Sequence, residues 1–370
     1  MSLQYRAAVL HAAQTPLAIE TVTAAALRPT DVLVRVRAAG LCHTDLEVIE
    51  GSLRYPMPMV LGHEAAGIVE EIGHAARGVK PGDHVVLSWN PHCGHCFYCD
   101  RDAPILCEQY LGEGPKGVSF DGETRASLAD GRSLQQLMFL GSFGEFCIVS
   151  DQQAIPVPRE IPFDRACLIG CGVMTGAGAA LNLGAIAHGD AVMVIGCGAV
   201  GLAAVQGARL AGAAAIIAVD IDPAKLVLAA RLGATHGVDA SKDDAIAVGK
   251  RETAGRGVDV VLEAAGSAAA FRVTTEVVRP GGQIIWLGKI DVSKDVAFRW
   301  GSLMQEKRIR RVSYGNARPR RDFPLLARAY LDGSLMLDEL ISRRIKLAEI
   351  NEGFAALKRG ETIRSVVIFD

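Results

Sequence analysis

The sequence predicts a two-domain α/β protein in which a β-rich domain is followed by a doubly wound parallel sheet and the chain then returns to the first domain. Three observations predict it. The chain has 370 residues, half of them hydrophobic, which is long for one core and typical of two. Up to about residue 172 the apolar runs are short and bounded by turn residues, as at 32–36, 67–72 and 84–87, the pattern of antiparallel strands. From there to about residue 315, strand-like and helix-like stretches alternate, which implies parallel strands joined by right-handed crossovers.

Within the alternating region, strands are predicted at 191–195, 215–219, 236–238, 258–263, 283–288 and 308–313, with helices beginning near 199, 223, 243 and 267. Continuous apolar runs such as AVMVI, AIIAV and VDVVLE indicate strands covered on both faces. The most apolar stretch, 191–219, is broken by Gln206, Arg209 and several glycines, so it suits a packed core and not a membrane span. Net charge is −2 and the densest basic run, 307–311, is short; it reads as a solvated strand edge, and no nucleic-acid partner is expected. The amino terminus lacks a basic segment followed by a long apolar one, the pattern of a secretory signal. Nine cysteines in that context point to a reducing, cytoplasmic compartment with thiols available for metal.

The strand predicted at 191–195 runs into Gly196-Cys197-Gly198-Ala199-Val200-Gly201, a G-x-G-x-x-G at the start of a helix. The first glycine permits a tight turn, the second lets backbone approach a pyrophosphate, and the third allows close helix packing. Alone the motif is weak. Asp220, nineteen residues after Gly201 at the end of the next strand, strengthens it, because a carboxylate there can accept hydrogen bonds from both hydroxyls of an adenosine ribose. That carboxylate would repel a 2′-phosphate, so NAD is expected over NADP. Lys225 either flanks the same ribose or is an ordinary exposed helical lysine.

Cys93, Cys96, Cys99 and Cys107 fall within fifteen residues with C-x2-C-x2-C-x7-C spacing. Four thiolates this close in a loop loosened by Pro91 and Gly94 predict a closed tetrahedral zinc site over 91–109. An iron–sulfur cluster is the rival occupant, and the rest of the chain speaks for zinc. Cys42, His63 and Cys171 are more scattered. Singly, the two cysteines could be small core residues and His63 a satisfied loop histidine.

Taken together these segments resemble the zinc-dependent medium-chain alcohol dehydrogenases, in particular the liver-type dimeric subgroup. GHEAAGIVEEIG at 62–73 looks like the family's zinc signature, and the four-cysteine lobe, GCGVMTG at 170–176, GCGAVG and Asp220 occur in the family's order, with the likeness running essentially end to end. The resemblance implies a GroES-like catalytic domain at 1–172 plus 315–370 and an NAD-binding Rossmann domain at 173–314. It further implies two zinc ions per subunit: a catalytic one on Cys42, His63 and Cys171, and a structural one in the four-cysteine lobe.

Two thiolates, one imidazole and an open fourth position describe a catalytic zinc site. By analogy with zinc-bound water, whose pKa falls from about 16 to about 7, the metal stabilises an alcohol's anion by on the order of 12 kcal/mol. A side-chain base supplies only about 10²–10⁴-fold. The expected reaction is reversible, NAD-linked oxidation of an alcohol to its aldehyde.

By resemblance, Thr44 takes the alcohol proton. Relatives often finish the relay with a histidine five residues after the first ligand; here that residue is Glu47, so either Glu47 or water is the outlet. Asp45 is expected to orient His63, Glu64 to lie close behind the metal, and His43 and Arg364 to contact the coenzyme pyrophosphate.

Resemblance also brings Leu53, Trp89, Leu111, Phe139 and Leu140 to the substrate pocket. All five are apolar. Burying a charged thiol adduct against them would cost a few kcal/mol, so a neutral aromatic, allylic or medium-chain primary alcohol is expected. A thiol-dependent formaldehyde dehydrogenase is the alternative, and a non-enzymatic zinc and dinucleotide binding protein a third. The segment 113–132 reads as a loop, and its length resembles that of the family's dimeric members more than the shorter-looped tetrameric ones, which implies a homodimer. No membrane partner is expected.

Overall fold

The computed structural model describes residues 3–370. The chain divides into two compact units, one comprising Met1–Cys171, Arg318–Gly333 and Leu340–Asp370, the other Gly172–Ala317 and Ser334–Glu339.

The first unit is built on β-structure. Strands Gln4–Leu10, Ala18–Ala24, Ala126–Ser127, Ser133–Gln136 and Met59–Val60 close a small barrel. A seven-stranded sheet centres on Asp31–Gly40, whose first half pairs antiparallel with Phe146–Ser150 and whose far end pairs antiparallel with Arg364–Ile368. The carboxyl-terminal strand is thereby fixed beside the start of the chain. Residues 113–132 are more than a loop, because Ala126–Ser127 belongs to the barrel. Just before that strand, the buried Arg125 guanidinium donates to both oxygens of buried Asp31, at 2.8 and 3.1 Å, and to Asp121 at 2.6 Å. This ion pair ties the segment to the central sheet.

In the second unit six parallel strands lie in the order His236–Asp239, Ala215–Asp220, Ala191–Ile195, Val258–Glu263, Val278–Trp286, Arg308–Arg311. That is the doubly wound Rossmann arrangement. Helices begin at Ala199, Pro223, Ala245 and Ala268, the last three behind side-chain caps from Asp222, Asp244 and Ser267. Each such cap is worth about 1 kcal/mol. Met193, Ile195, Ile217, Val219, Val261 and Ile284 are buried in one apolar cluster, each contributing about 1.5–3 kcal/mol of transfer free energy.

Two strand predictions shift. The strand expected at 283–288 begins at Val278: Val278 pairs with Val258 and Gln283 with Val260, so Arg279 to Gly282 bulge out. The strand expected at 308–313 ends at Arg311, and all four of its residues are exposed.

A helical run, Phe163–Leu183, is long and apolar enough to cross a bilayer by length and composition, yet 72% of its apolar window is buried within the protein, as in a core helix. The sequence reading did not anticipate this helix. It is important for the site because Cys171 sits in its π-helical turn, Ile169–Val173.

Candidate functional site

Three segments of the first unit bring Cys42, His63 and Cys171 together. Cys42 caps the helix His43–Glu50 with extended backbone, φ −123° and ψ 155°. His63 follows Gly62, whose φ of +95° and close approach to Phe143 N, 2.7 Å from where a Cβ would sit, admit only glycine without strain. Cys171 comes from the π-turn, a widened helical turn often found at functional sites. Sγ of both cysteines and a ring nitrogen of His63 lie within 4.8 Å of one another.

Asp45 fixes this geometry. Its fully buried carboxylate accepts the Cys42 amide at 3.2 Å and the Gly62 amide at 2.9 Å, and lies 3.3 Å from His63 Nδ1. One side chain therefore ties two ligand segments and occupies Nδ1. His63 Nε2 is left buried without a hydrogen bond of normal geometry, as expected of a nitrogen meant for a metal.

Charge in the cluster follows from these contacts. A hydrogen bond from Cys171 holds the Cys42 thiol well below its ordinary pKa against the opposing effect of burial, with Arg364 and His63 adding to the lowering. The same bond, with burial, pushes Cys171 well above its ordinary value. Burial alone would push His63 down, but Asp45 and Cys42 outweigh it and hold the imidazole high. A divalent cation would replace this shared proton and draw both sulfurs into the thiolate form. Two thiolates and a borderline imidazole, with no fourth protein ligand gathered with them among the described residues, suit zinc with an open position.

Behind the cluster, Glu64 is fully buried and Arg364 nearly so, with Arg364 Nε 3.4 Å from Glu64 Oε2 and Nη2 3.7 Å from Cys42 Sγ. The structure thus places Arg364 against the Cys42 sulfur and Glu64, a pairing that the sequence did not reveal. Thr44 is buried in the first turn of the helix; His43 is exposed and Glu47 half-buried.

Cys93, Cys96, Cys99 and Cys107 also gather within 4.8 Å. Cys93 and Cys99 Sγ are 3.9 Å apart, and the Cys93 amide reaches Cys107 Sγ at 3.3 Å. A backbone hydrogen bond from Glu108 leads the groups that lower Cys96 to about 6, while desolvation pushes Cys99 up to about 12. Neighbouring Phe97 and Leu106 are 53% and 45% exposed, so these two side chains bring the lobe little burial, and four sulfurs closing on one point would hold it once they share a metal.

In the second unit, Gly196 adopts φ +90°, and a Cβ there would lie 2.7 Å from Ala265 N. A Cβ on Gly201 would collide with the Gly196 carbonyl oxygen, whereas one on Gly198 would meet nothing. The open space above Gly198 leaves the helix terminus accessible to a phosphate group. Asp220 Oδ2 accepts the Cys197 amide at 2.6 Å and Oδ1 the Asp222 amide at 3.0 Å, which holds the carboxylate beside the loop. Lys225 Nζ is 3.9 Å from Asp222 Oδ2, turned toward the helix cap.

The alcohol dehydrogenase GroES-like domain family matches residues 28–159 and the zinc-binding dehydrogenase family residues 199–331. The chain is 38% identical over 370 residues to the NDMA-dependent alcohol dehydrogenase of Amycolatopsis methanolica, covering 99% of each. It is 35% identical to S-(hydroxymethyl)glutathione dehydrogenase of Saccharomyces cerevisiae, covering 98% of this chain and 96% of that one. Benzyl alcohol dehydrogenase from Acinetobacter calcoaceticus superposes with a TM-score of 0.94 at 30% identity, over 100% of both chains. The chain belongs to the medium-chain zinc alcohol dehydrogenase family.

The residues expected at this dehydrogenase's substrate pocket are found in different settings. Trp89, Phe139 and Leu140 are buried, Leu53 is half-buried, and Leu111 is 51% exposed. Phe139 has φ +63°, unusual for a non-glycine residue. The Gln136 side-chain amide donates to its carbonyl at 2.8 Å, and Gln153 reaches the same oxygen at 3.4 Å. Its ring joins an aromatic cluster with Tyr110 at 5.4 Å and Phe120 at 5.9 Å, and Tyr110 meets Trp89 at 6.2 Å. Burial raises the Tyr110 phenol, and Tyr55 and Cys171 raise it further. Tyr110 and Tyr55 were absent from the sequence-derived pocket. Tyr110 could have been suspected from its place three residues beyond Cys107, on the helix leaving the cysteine lobe.

Proposed function

We propose that the chain is an NAD-linked alcohol dehydrogenase that oxidises a neutral primary alcohol, aromatic, allylic or medium-chain, to its aldehyde and runs the reverse reduction with the same groups. The observation that carries this reading is the convergence of Cys42 Sγ, His63 and Cys171 Sγ within 4.8 Å, with His63 Nε2 buried and left for a metal. Cys42, His63 and Cys171 would hold a catalytic zinc and the four-cysteine lobe a structural one, while Gly196, Gly198, Ala199, Val200, Gly201 and Asp220 would hold NAD. When bound, zinc acts as a Lewis acid that lowers a hydroxyl's pKa, and NAD accepts the hydride.

The chain's own residues do the rest. Asp45 keeps His63 in the tautomer that presents Nε2. Thr44, two residues beyond Cys42, takes the alcohol proton on its hydroxyl, and Glu47, one helical turn further, is the candidate outlet. Glu64 and Arg364 form an ion pair behind the ligand Cys42. Buried Trp89, Phe139 and Leu140 favour an apolar substrate by excluding water around its carbon chain. The catalytic domain would comprise 1–172 plus 315–370. Nine free cysteines fit a reducing, cytoplasmic setting, and a homodimer completes the reading.

A second reading has specific support: the Saccharomyces cerevisiae relative is named an S-(hydroxymethyl)glutathione dehydrogenase. A steady-state screen of benzyl, cinnamyl and medium-chain alcohols with NAD or with NDMA as acceptor, alongside formaldehyde with and without glutathione, separates the two. Turnover of neutral alcohols without thiol supports the proposal. Oxidation confined to formaldehyde plus glutathione replaces it with the second reading.

A further inference from the structure

Glu263 ends the strand Val258–Glu263 and is fully buried. Its strand lies beside Ala191–Ile195 at the point where the strand order reverses, and dinucleotides cross the carboxyl ends of the strands at such a point. Asp220, on the far side of Ala191–Ile195, is the candidate ribose contact of the adenosine half. The other nucleotide must then pass over the ends of Val258–Glu263 and Val278–Trp286.

The backbone at those ends forms two turns, 264–266 and 287–289. Glu263 Oε1 accepts the Ala265 amide at 2.9 Å and the Gly266 amide at 2.6 Å. Oε2 lies 2.5 Å from where a Cβ on Gly288 would sit. The Glu263 carbonyl meanwhile accepts the Leu287 and Gly288 amides at 2.8 and 3.0 Å. Gly266, at φ +68°, is packed so closely that a Cβ would strike the Lys289 carbonyl, and Ala265 in turn packs against Gly196. Glu263 therefore holds turn 264–266 through side-chain Oε1 and turn 287–289 through its backbone carbonyl, with Oε2 packed close to Gly288 and Ala265 linking the first turn to the glycine loop. Burial pushes the Glu263 carboxyl above its ordinary pKa while the amides of Gly266, Ala265 and Gly288 oppose it. An aliphatic residue would bury there without the desolvation cost, so what the carboxylate contributes is the position of the two turns.

We propose that Glu263 is a positioning residue for the nicotinamide half of the bound coenzyme, acting through turns 264–266 and 287–289. The proposal rests on the NAD reading above. It is tested on the zinc-loaded full chain by calorimetric titration with NADH and with ADP-ribose, which has the adenosine and pyrophosphate but no nicotinamide. Glu263→Gln replaces one carboxylate oxygen with an amide group and weakens the fastening. The expected result is an NADH dissociation constant raised about tenfold, because the two charge-assisted hydrogen bonds to Oε1 become weaker neutral ones, with ADP-ribose binding changed less than twofold. Equal loss for both ligands, or no loss for either, overturns the role of Glu263. Wild-type protein that binds neither ligand removes the NAD reading and the proposal with it. If Glu263→Gln does not fold, Glu263→Asp, one methylene shorter, must show the same split.

Discussion

Asp45→Asn isolates the link between hydrogen bonding and metal affinity. The carboxylate serves three donors with two oxygens: Gly62 N at 2.9 Å and His63 Nδ1 at 3.3 Å on Oδ1, and Cys42 N at 3.2 Å on Oδ2. Asparagine has nearly the same shape but keeps only one acceptor oxygen, so its NH2 group must face either the Cys42 amide or the Oδ1 pair. One charge-assisted hydrogen bond is lost, worth about 1.5–3 kcal/mol. The charge that favours donation from His63 Nδ1 is lost as well. Metal-site partners of this kind typically affect affinity by about 10–100-fold, or about 1.4–2.8 kcal/mol, and the two figures agree. The assay is zinc release to a chromophoric chelator, followed with turnover. The variant should lose one zinc equivalent at a chelator concentration about 10–100-fold lower than wild type, while the equivalent held by the four-cysteine lobe is released unchanged. Superimposable release curves for the two proteins would refute the reasoning.

Three further outcomes are expected. Cys42→Ala should abolish alcohol turnover while leaving NADH affinity within about twofold, as read by nicotinamide fluorescence; appreciable residual activity would move the reaction elsewhere. Asp220→Gly should narrow the preference for NAD over NADP, measured as the ratio of kcat/KM values, and an unchanged ratio would count against the ribose assignment. Gly201→Ala drives a methyl into the Gly196 carbonyl and should cost about 3 kcal/mol of stability, seen as a lower midpoint in urea, with a wild-type midpoint arguing that the loop is built differently.

The second unit was largely legible because parallel strands buried on both faces write themselves as uninterrupted apolar runs, and Asp222, Asp244 and Ser267 mark the helix starts. The barrel was less so. Its strands Met59–Val60 and Ala126–Ser127 are too short to show any alternation, and only pairing with distant partners makes them strands. The helical run around Cys171 was hidden by Gly170, Gly172, Gly176 and Gly178, which read as loop. Two of them are there for close packing: a Cβ on Gly170 would lie 2.9 Å from the Leu87 carbonyl oxygen, and one on Gly176 would strike that of Val200.

At the site, spacing pointed to the four-cysteine lobe, while the family resemblance pointed to Cys42, His63 and Cys171 and so to Asp45 beside His63. What it could not show were contacts between remote segments. Arg364 meets Glu64 and Cys42 from some three hundred residues away, and Tyr110 joins Phe139 only through the folded barrel. Such pairings depend on tertiary geometry that no local pattern encodes.

The most direct test is a crystal structure of the purified protein with anomalous diffraction recorded on either side of the zinc absorption edge. Two zinc peaks per chain are predicted, one enclosed by the sulfurs of Cys93, Cys96, Cys99 and Cys107 and one bounded by Cys42 Sγ, His63 Nε2 and Cys171 Sγ. A single peak in the four-cysteine lobe, with the other three side chains facing no metal, would contradict the account.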